Sequence, residues 1–269
     1  MKTTTTLLLL ALVYNSCGEY QKVLKSDDYN YKYIKAVAYY ESEDFNRALP
    51  LFNELSTVLR GTVKMEEVSY YFAYCHYSAS DNLMAAYLFK NYTQSYPNGK
   101  RTEECAYMTA YCYYLEAPNY SLDATNNYKA INELQAFVDR FPNSKRVEEC
   151  NLLLDELRAI LSKKAFENAK QYFTTENYKS AIIALENVLI DFPSYTNREE
   201  VHFLIVKSSY LLAVNSISTK VTPRLKATLD AYAQFKDNYP NSDFIKDLEN
   251  TYNKTNQTLT ELKENKDEI

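Results

Sequence analysis

Four short segments decide the fold of this chain: Tyr96-Pro97-Asn98-Gly99, Phe141-Pro142-Asn143-Ser144, Phe192-Pro193-Ser194 and Tyr239-Pro240-Asn241-Ser242. Each closes an amphipathic run, because proline disfavours helical backbone at the residue before it. They recur at intervals of 45, 51 and 47 residues. A second signal opens the runs: Glu66-Glu67, Glu103-Glu104, Glu148-Glu149 and Glu199-Glu200. Carboxylates in a first helical turn complement the positive end of the helix dipole. They are badly placed as an acid–base pair, since adjacent helical residues do not face each other. Stop and start signals repeating at such a period announce a repeat architecture.

Composition narrows the choice. Glycine is 3 of 269 residues, which leaves nothing for Gly-rich phosphate loops, dinucleotide fingerprints or tight hairpins. The two histidines, His76 and His202, are far apart in sequence, and no lipase-type Gly-x-Ser-x-Gly is present. No catalytic constellation, cofactor site or metal-ligand spacing is therefore expected. The formal net charge of −5 makes the chain a poor binder of nucleic acid, whose backbone selects a basic surface. Abundant Ala, Leu, Glu, Lys and Tyr with only 7 Pro predict an all-α chain.

The units resemble tetratricopeptide repeats, helix–turn–helix units of 34 residues. That pattern wants small residues at positions 8 and 20, an aromatic at 11, a large apolar residue at 24 and proline at 32. The unit starting at Tyr29 supplies Ala36, Tyr39, Ala48 and Phe52, without the proline. The unit from Glu66 supplies Ala73, Ala85, Phe89 and Pro97, with His76 in the aromatic slot. A third, from Glu103, has Ala110 and Tyr113, an insertion around Ala117-Pro118-Asn119-Tyr120, then Ala130, Leu134 and Pro142. A fourth, from Ser162, has Ala169, Tyr172, Ala181, Leu185 and Pro193. The fifth, from Glu199, places Val206 and Thr228 in the small slots and carries an insertion around Ser216 to Pro223. No Gly or Pro interrupts Val147 to Thr174, which predicts one long helix. The expectation is a superhelical solenoid of about five helix pairs, closed by a polar capping helix from Asp243.

The N-terminus reads as an export signal. Lys2 is followed by the apolar run Leu7 to Val13, too short to span a bilayer and right for a signal h-region. Ser16-Cys17 behind it resembles a bacterial lipoprotein cleavage site, with Tyr14 where an aliphatic residue usually stands. That resemblance implies lipidation of Cys17; the alternative is an ordinary secretory signal with an incidental cysteine. Residues 1–16 are then a signal peptide, 17–28 a lipidated extended leader, 29–145 repeats 1–3, and 146–269 the linking helix, repeats 4–5 and the cap. Cys75, Cys105, Cys112 and Cys150 allow two disulfides or serve as small packing residues.

The order of these parts, the insertion in the third unit and the long helix entering the fourth together resemble the BamD family, the tetratricopeptide lipoproteins of the outer-membrane β-barrel assembly machinery. The resemblance implies a non-enzymatic protein anchored in the outer membrane and facing the periplasm. Its partners would be unfolded β-barrel clients and a BamA-like barrel protein with POTRA domains, the latter docking on the second half. Another periplasmic tetratricopeptide adaptor, scaffolding an envelope or cell-division complex, is the alternative; co-purification of a BamA-like barrel separates the two. In such repeats positions 5, 9 and 12 of helix A line a groove. Here they give Tyr33, Tyr70 and Tyr107 at position 5, Tyr74 and Tyr111 at 9, and Tyr40, Tyr77 and Tyr114 at 12. The fourth and fifth repeats turn to Phe166, Lys170, Phe173, Phe203, Lys207 and Tyr210. The eight tyrosines are either a groove for extended peptides with aromatic side chains, or core.

Overall fold

The computed structural model describes residues 18–267; the signal peptide and Cys17 lie outside the described residues. Among the described residues all regular structure is helical. The first helix, α1, covers 18–24. Helix pairs follow: α2 (Tyr29–Glu41) and α3 (Phe45–Val58), α4 (Met65–Ser78) and α5 (Asn82–Ser95), α6 (Thr102–Leu115) and α7 (Thr125–Arg140). The 28-residue α8 (Val147–Thr174) is the predicted long helix, and its C-terminal half pairs in sequence with α9 (Tyr178–Asp191). Then come α10 (Arg198–Val214), α11 (Ser218–Asn238) and the terminal α12 (Ile245–Asp267). The chain divides into two compact units. One runs through Pro118 and takes Asp123–Asp155; the other takes Asn119–Leu122 and Glu156–Ile269, so the division falls within α8.

The helices stop where the sequence says. Tyr96, Phe141, Phe192 and Tyr239 share one conformation, with φ between −126° and −135° and ψ of 60–70°. This conformation lies outside the helical region, which the following proline disfavours. The turns inside three pairs use a different device. Glu43, Ser80 and Glu176 adopt left-handed φ of 59–61°. In each, the next amide reaches back to the helix it has left: Asp44 to Tyr39 O, Asp81 to His76 O and Asn177 to Tyr172 O. Glycine usually fills such a position; in this glycine-poor chain Glu and Ser carry the strain.

The tetratricopeptide pattern is what holds each pair together. Ala36, Ala48, Ala73, Ala85, Ala110, Ala130 and Ala181 are fully buried, as are Phe52, Phe89, Leu134 and Leu185. Small side chains let the two helix axes approach, and the large residue fills the remaining gap; an empty gap there would cost contacts on all sides. The fifth pair tolerates bulkier residues. Val206 and Thr228 are buried, and Thr228 satisfies its hydroxyl on Arg224 O at 3.1 Å. Helix α12 covers this pair through Leu248, which packs with Val206, Tyr232 and Phe235.

One expectation needs correction. The leader is not extended over 18–24 but helical, because Val23 can enter the core of the first pair. Lys32, 1% exposed, fixes it by donating to Leu24 O at 3.1 Å and to both Glu54 oxygens at 2.7 Å. The insertion around Ser216 to Pro223 is largely taken up in helix. It lengthens α11, with Pro223 inside the helix on its exposed side. The insertion in the third unit does form a loop, between α6 and α7.

Cys75, Cys105, Cys112 and Cys150 are buried free thiols. Burial pushes the first three up to about 12 and Cys150 to about 11. Thiol chemistry needs the thiolate. In the native protein these four should resist iodoacetamide at mildly alkaline pH and all react after denaturation, as read by intact mass; rapid native alkylation of any of them would contradict this packing.

Candidate functional site

In the first unit the candidate tyrosines lie along helix A of three successive pairs, and each row has its own role. The position-5 row is committed to the body of the protein. Tyr33 donates its hydroxyl to Glu67, Tyr70 to Glu104 at 3.0 Å and Tyr107 to Glu149 at 2.8 Å. Each acceptor is the second carboxylate of the pair that opens the next helix A. A cation from the same turn covers each ring: Lys64 over Tyr33 at 5.0 Å, Arg101 over Tyr70 at 4.1 Å and Arg146 over Tyr107 at 4.1 Å. Every tyrosine is thus held twice by the following repeat, through its hydroxyl and through its π face. Tyr107 is only 3% exposed and packs on Phe137, so it belongs to the core.

This clasp was hidden in the sequence. The glutamate pairs were read as dipole partners alone. What identifies the clasp is the cation two residues ahead of each pair, seen twice in near-identical form: Pro97-Asn98-Gly99-Lys100-Arg101-Thr102-Glu103-Glu104-Cys105 and Pro142-Asn143-Ser144-Lys145-Arg146-Val147-Glu148-Glu149-Cys150. In the second unit the ring loses its hydroxyl and the task moves one turn along. Phe166 and Phe203 occupy position 5, and the position-9 lysines reach forward instead. Lys170 donates to Glu200 at 2.7 Å and Lys207 to Asp247 at 3.1 Å. The two lysines expected to mark a change of groove chemistry are therefore already paired.

The other two rows are half-buried. Tyr74 packs edge-on against Phe89 and donates to Glu104. Tyr40 packs on Phe45 and Tyr71. Tyr111 stacks between Tyr107 and Tyr114, at 5.6 Å and 6.0 Å between ring centroids. Tyr77 meets Tyr74 edge-on at 6.3 Å. Among the described residues the hydroxyls of Tyr77 and Tyr111 form no hydrogen bond within the protein. Tyr77, Tyr111 and Tyr114 thus form the accessible rim of the ladder, over a floor of Tyr70, Tyr74 and Tyr107. Such a surface offers apolar ring area and the hydroxyls of Tyr77 and Tyr111, and no group of His, Cys, Asp or Glu able to hold a metal ion occurs among the described residues.

Stacked helix pairs of this kind define a helical-repeat protein. The YfiO family, described as "Outer membrane lipoprotein", matches residues 25–223 and 167–264, and the chain belongs to that family, of which BamD is a member. The two matches overlap over 167–223, as expected where interchangeable repeats fit more than one place in a family pattern. A comparison with curated proteins gives no match. No described helix is long and apolar enough to cross a membrane.

Burial holds four of the phenols, Tyr40, Tyr70, Tyr74 and Tyr107, neutral. It pushes Tyr40 up to about 12, and Tyr70, Tyr74 and Tyr107 higher still, with the Glu104 and Glu149 carboxylates adding to the effect. A raised phenol leaves stability intact below the ordinary tyrosine value of about 10. Above it the unfolded chain ionises first and stability is lost. Far-UV circular dichroism should therefore show cooperative unfolding beginning above about pH 10. Glu104→Ala, which strands two hydroxyls, should cost about 1–3 kcal/mol in denaturant melts at neutral pH; an unchanged midpoint would remove the clasp from the energetics.

Proposed function

We propose that this protein is a non-enzymatic lipoprotein component of the outer-membrane β-barrel assembly machinery, anchored through lipidated Cys17 and facing the periplasm. Membership in the outer-membrane lipoprotein family supports the setting. The observation that carries the binding role is the partly exposed tyrosine rim on α4 and α6. A contiguous aromatic surface usually marks a binding site. Tyrosine gives large contact area at low ordering cost, and its hydroxyl pairs with an extended backbone. The fitting ligand is the C-terminal strand of an unfolded barrel protein, which commonly ends in an aromatic residue. The second unit and α8 serve as the platform for a POTRA domain of a BamA-like barrel protein.

The anchor is tested by Cys17→Ser. Wild-type protein should fractionate with membranes and carry acyl mass. The variant should be released or remain uncleaved. A mature wild-type protein without acyl mass would refute the anchor. Capture of the tagged full-length protein from membranes should bring down a BamA-like barrel; recovery of cell-division or peptidoglycan-synthesis proteins alone would favour a different adaptor role.

Client binding makes a separate demand. Tyr77→Ala combined with Tyr111→Ala removes rim rings whose hydroxyls hold nothing within the protein. It should weaken a C-terminal barrel-strand peptide at least tenfold, about 1.4 kcal/mol, while the helical signal and melting temperature stay near wild type. Unchanged peptide affinity in a folded variant would exclude the rim as the client site.

A further inference from the structure

The first repeat has none before it, and on that side apolar surface stays uncovered. Each later helix A in the first unit turns positions 3, 6 and 10 toward the preceding pair. These are Val68, Tyr71 and Cys75 in α4, where Val68 and Cys75 are fully buried and Tyr71 stacks on Phe52 at 5.5 Å. On α2 the same positions hold Tyr31, Ile34 and Ala38, which share one helix face. Tyr31 is 36% exposed and Ile34 57%.

Helix α1 covers only the neighbouring strip. Tyr20 meets Tyr39 edge-on at 5.7 Å, and Glu19 pairs with Lys35 at 2.8 Å. Leu24 O accepts from Lys32. As α1 advances from Glu19 to Leu24, its partners on α2 retreat from Lys35 to Lys32, so the two helices run antiparallel. The start of α1 therefore lies beside Lys35, one residue from Ile34. Cys17 is two residues before Glu19 in the sequence. With folded helix beginning at residue 18, no linker separates the anchor position from the body.

We propose that this end face, with Tyr31 and Ile34 at its centre, rests on the membrane surface beside the anchor. The inference depends on the lipidation of Cys17 argued above. A tether this short holds the first repeat at the bilayer, and the nearest uncovered surface is the one chemically suited to it. Tyrosine sits well at a headgroup boundary, and an aliphatic side chain gains by entering it. Exposed Lys22 and Lys25 on α1 can meet headgroup phosphates.

The chain has no tryptophan, so one introduced indole is an unambiguous reporter. Full-length lipidated protein carrying Ile34→Trp is placed on vesicles of phosphatidylethanolamine and phosphatidylglycerol with brominated acyl chains. Tyr31→Trp is a second reporter, and Tyr128→Trp, on exposed α7 surface of the same unit, is the control. Emission from positions 34 and 31 should shift to the blue and be quenched by the brominated lipid, with neither change at 128. Acylated protein that floats with vesicles yet leaves the position-34 reporter unquenched overturns this proposal and leaves the anchor standing. Protein without acyl mass overturns both. A blue shift that depends on protein concentration without vesicles, with a dimer in sedimentation, assigns the face to a second copy and also overturns it.

Discussion

Everything in this protein depends on how closely two helices can approach. Alanine at both small slots of the first four pairs brings helix A against helix B, and a single Phe or Leu fills the gap. No pair buries enough apolar surface alone, so each must pass an apolar face to the next. The consequence reaches both ends. At one, α12 covers the last pair through Leu248. At the other, α1 covers the first only in part, and Ile34 is left in the open.

Stacking by apolar contact fixes proximity but not register. The tyrosine clasp adds direction. A phenol has one hydroxyl and two faces, and each position-5 tyrosine spends the hydroxyl on a carboxylate and a face on a cation from the next repeat. That geometry is satisfied at one offset only. The clasp accounts for three of the 27 tyrosines: each site needs a flat ring with a hydroxyl at its far end. Where phenylalanine replaces tyrosine at position 5, a lysine one turn along restores the polar link. The link is kept while its chemistry changes, which marks it as a structural requirement of the repeat.

The pair boundaries, the alanine slots and the long α8 were legible because each rests on local chemistry. Proline acts on the residue before it, and helical periodicity repeats within one segment. The left-handed turns were not legible, since Glu43, Ser80 and Glu176 stand where glycine would have given the signal. The leader helix was missed because its fold comes from Val23 entering another element's core, and seven residues carry little periodicity. The candidate site was half legible. Helical spacing placed all eight tyrosines along helix A. Dividing them into clasp and rim required knowing what each hydroxyl meets, a tertiary fact.

That division was nevertheless encoded in compensating pairs. Tyr92 donates to Glu66 at 2.7 Å, and Gly99 leaves the room: a Cβ there would lie 2.7 Å from the Glu66 carboxylate. One repeat later Phe137 stands where Tyr92 stood and has no hydroxyl, and Ser144 stands where Gly99 stood. Its hydroxyl donates to Glu103 at 2.6 Å. In these two pairs the first carboxylate thus receives one donor, from helix B in one repeat and from the loop in the next. Glu66 is partly buried, where a carboxylate without a donor is costly; Glu103 is exposed and keeps a donor all the same, while the residue supplying it moves. The glycine is explained by this exchange and not by its backbone: it is small because its neighbour is a tyrosine.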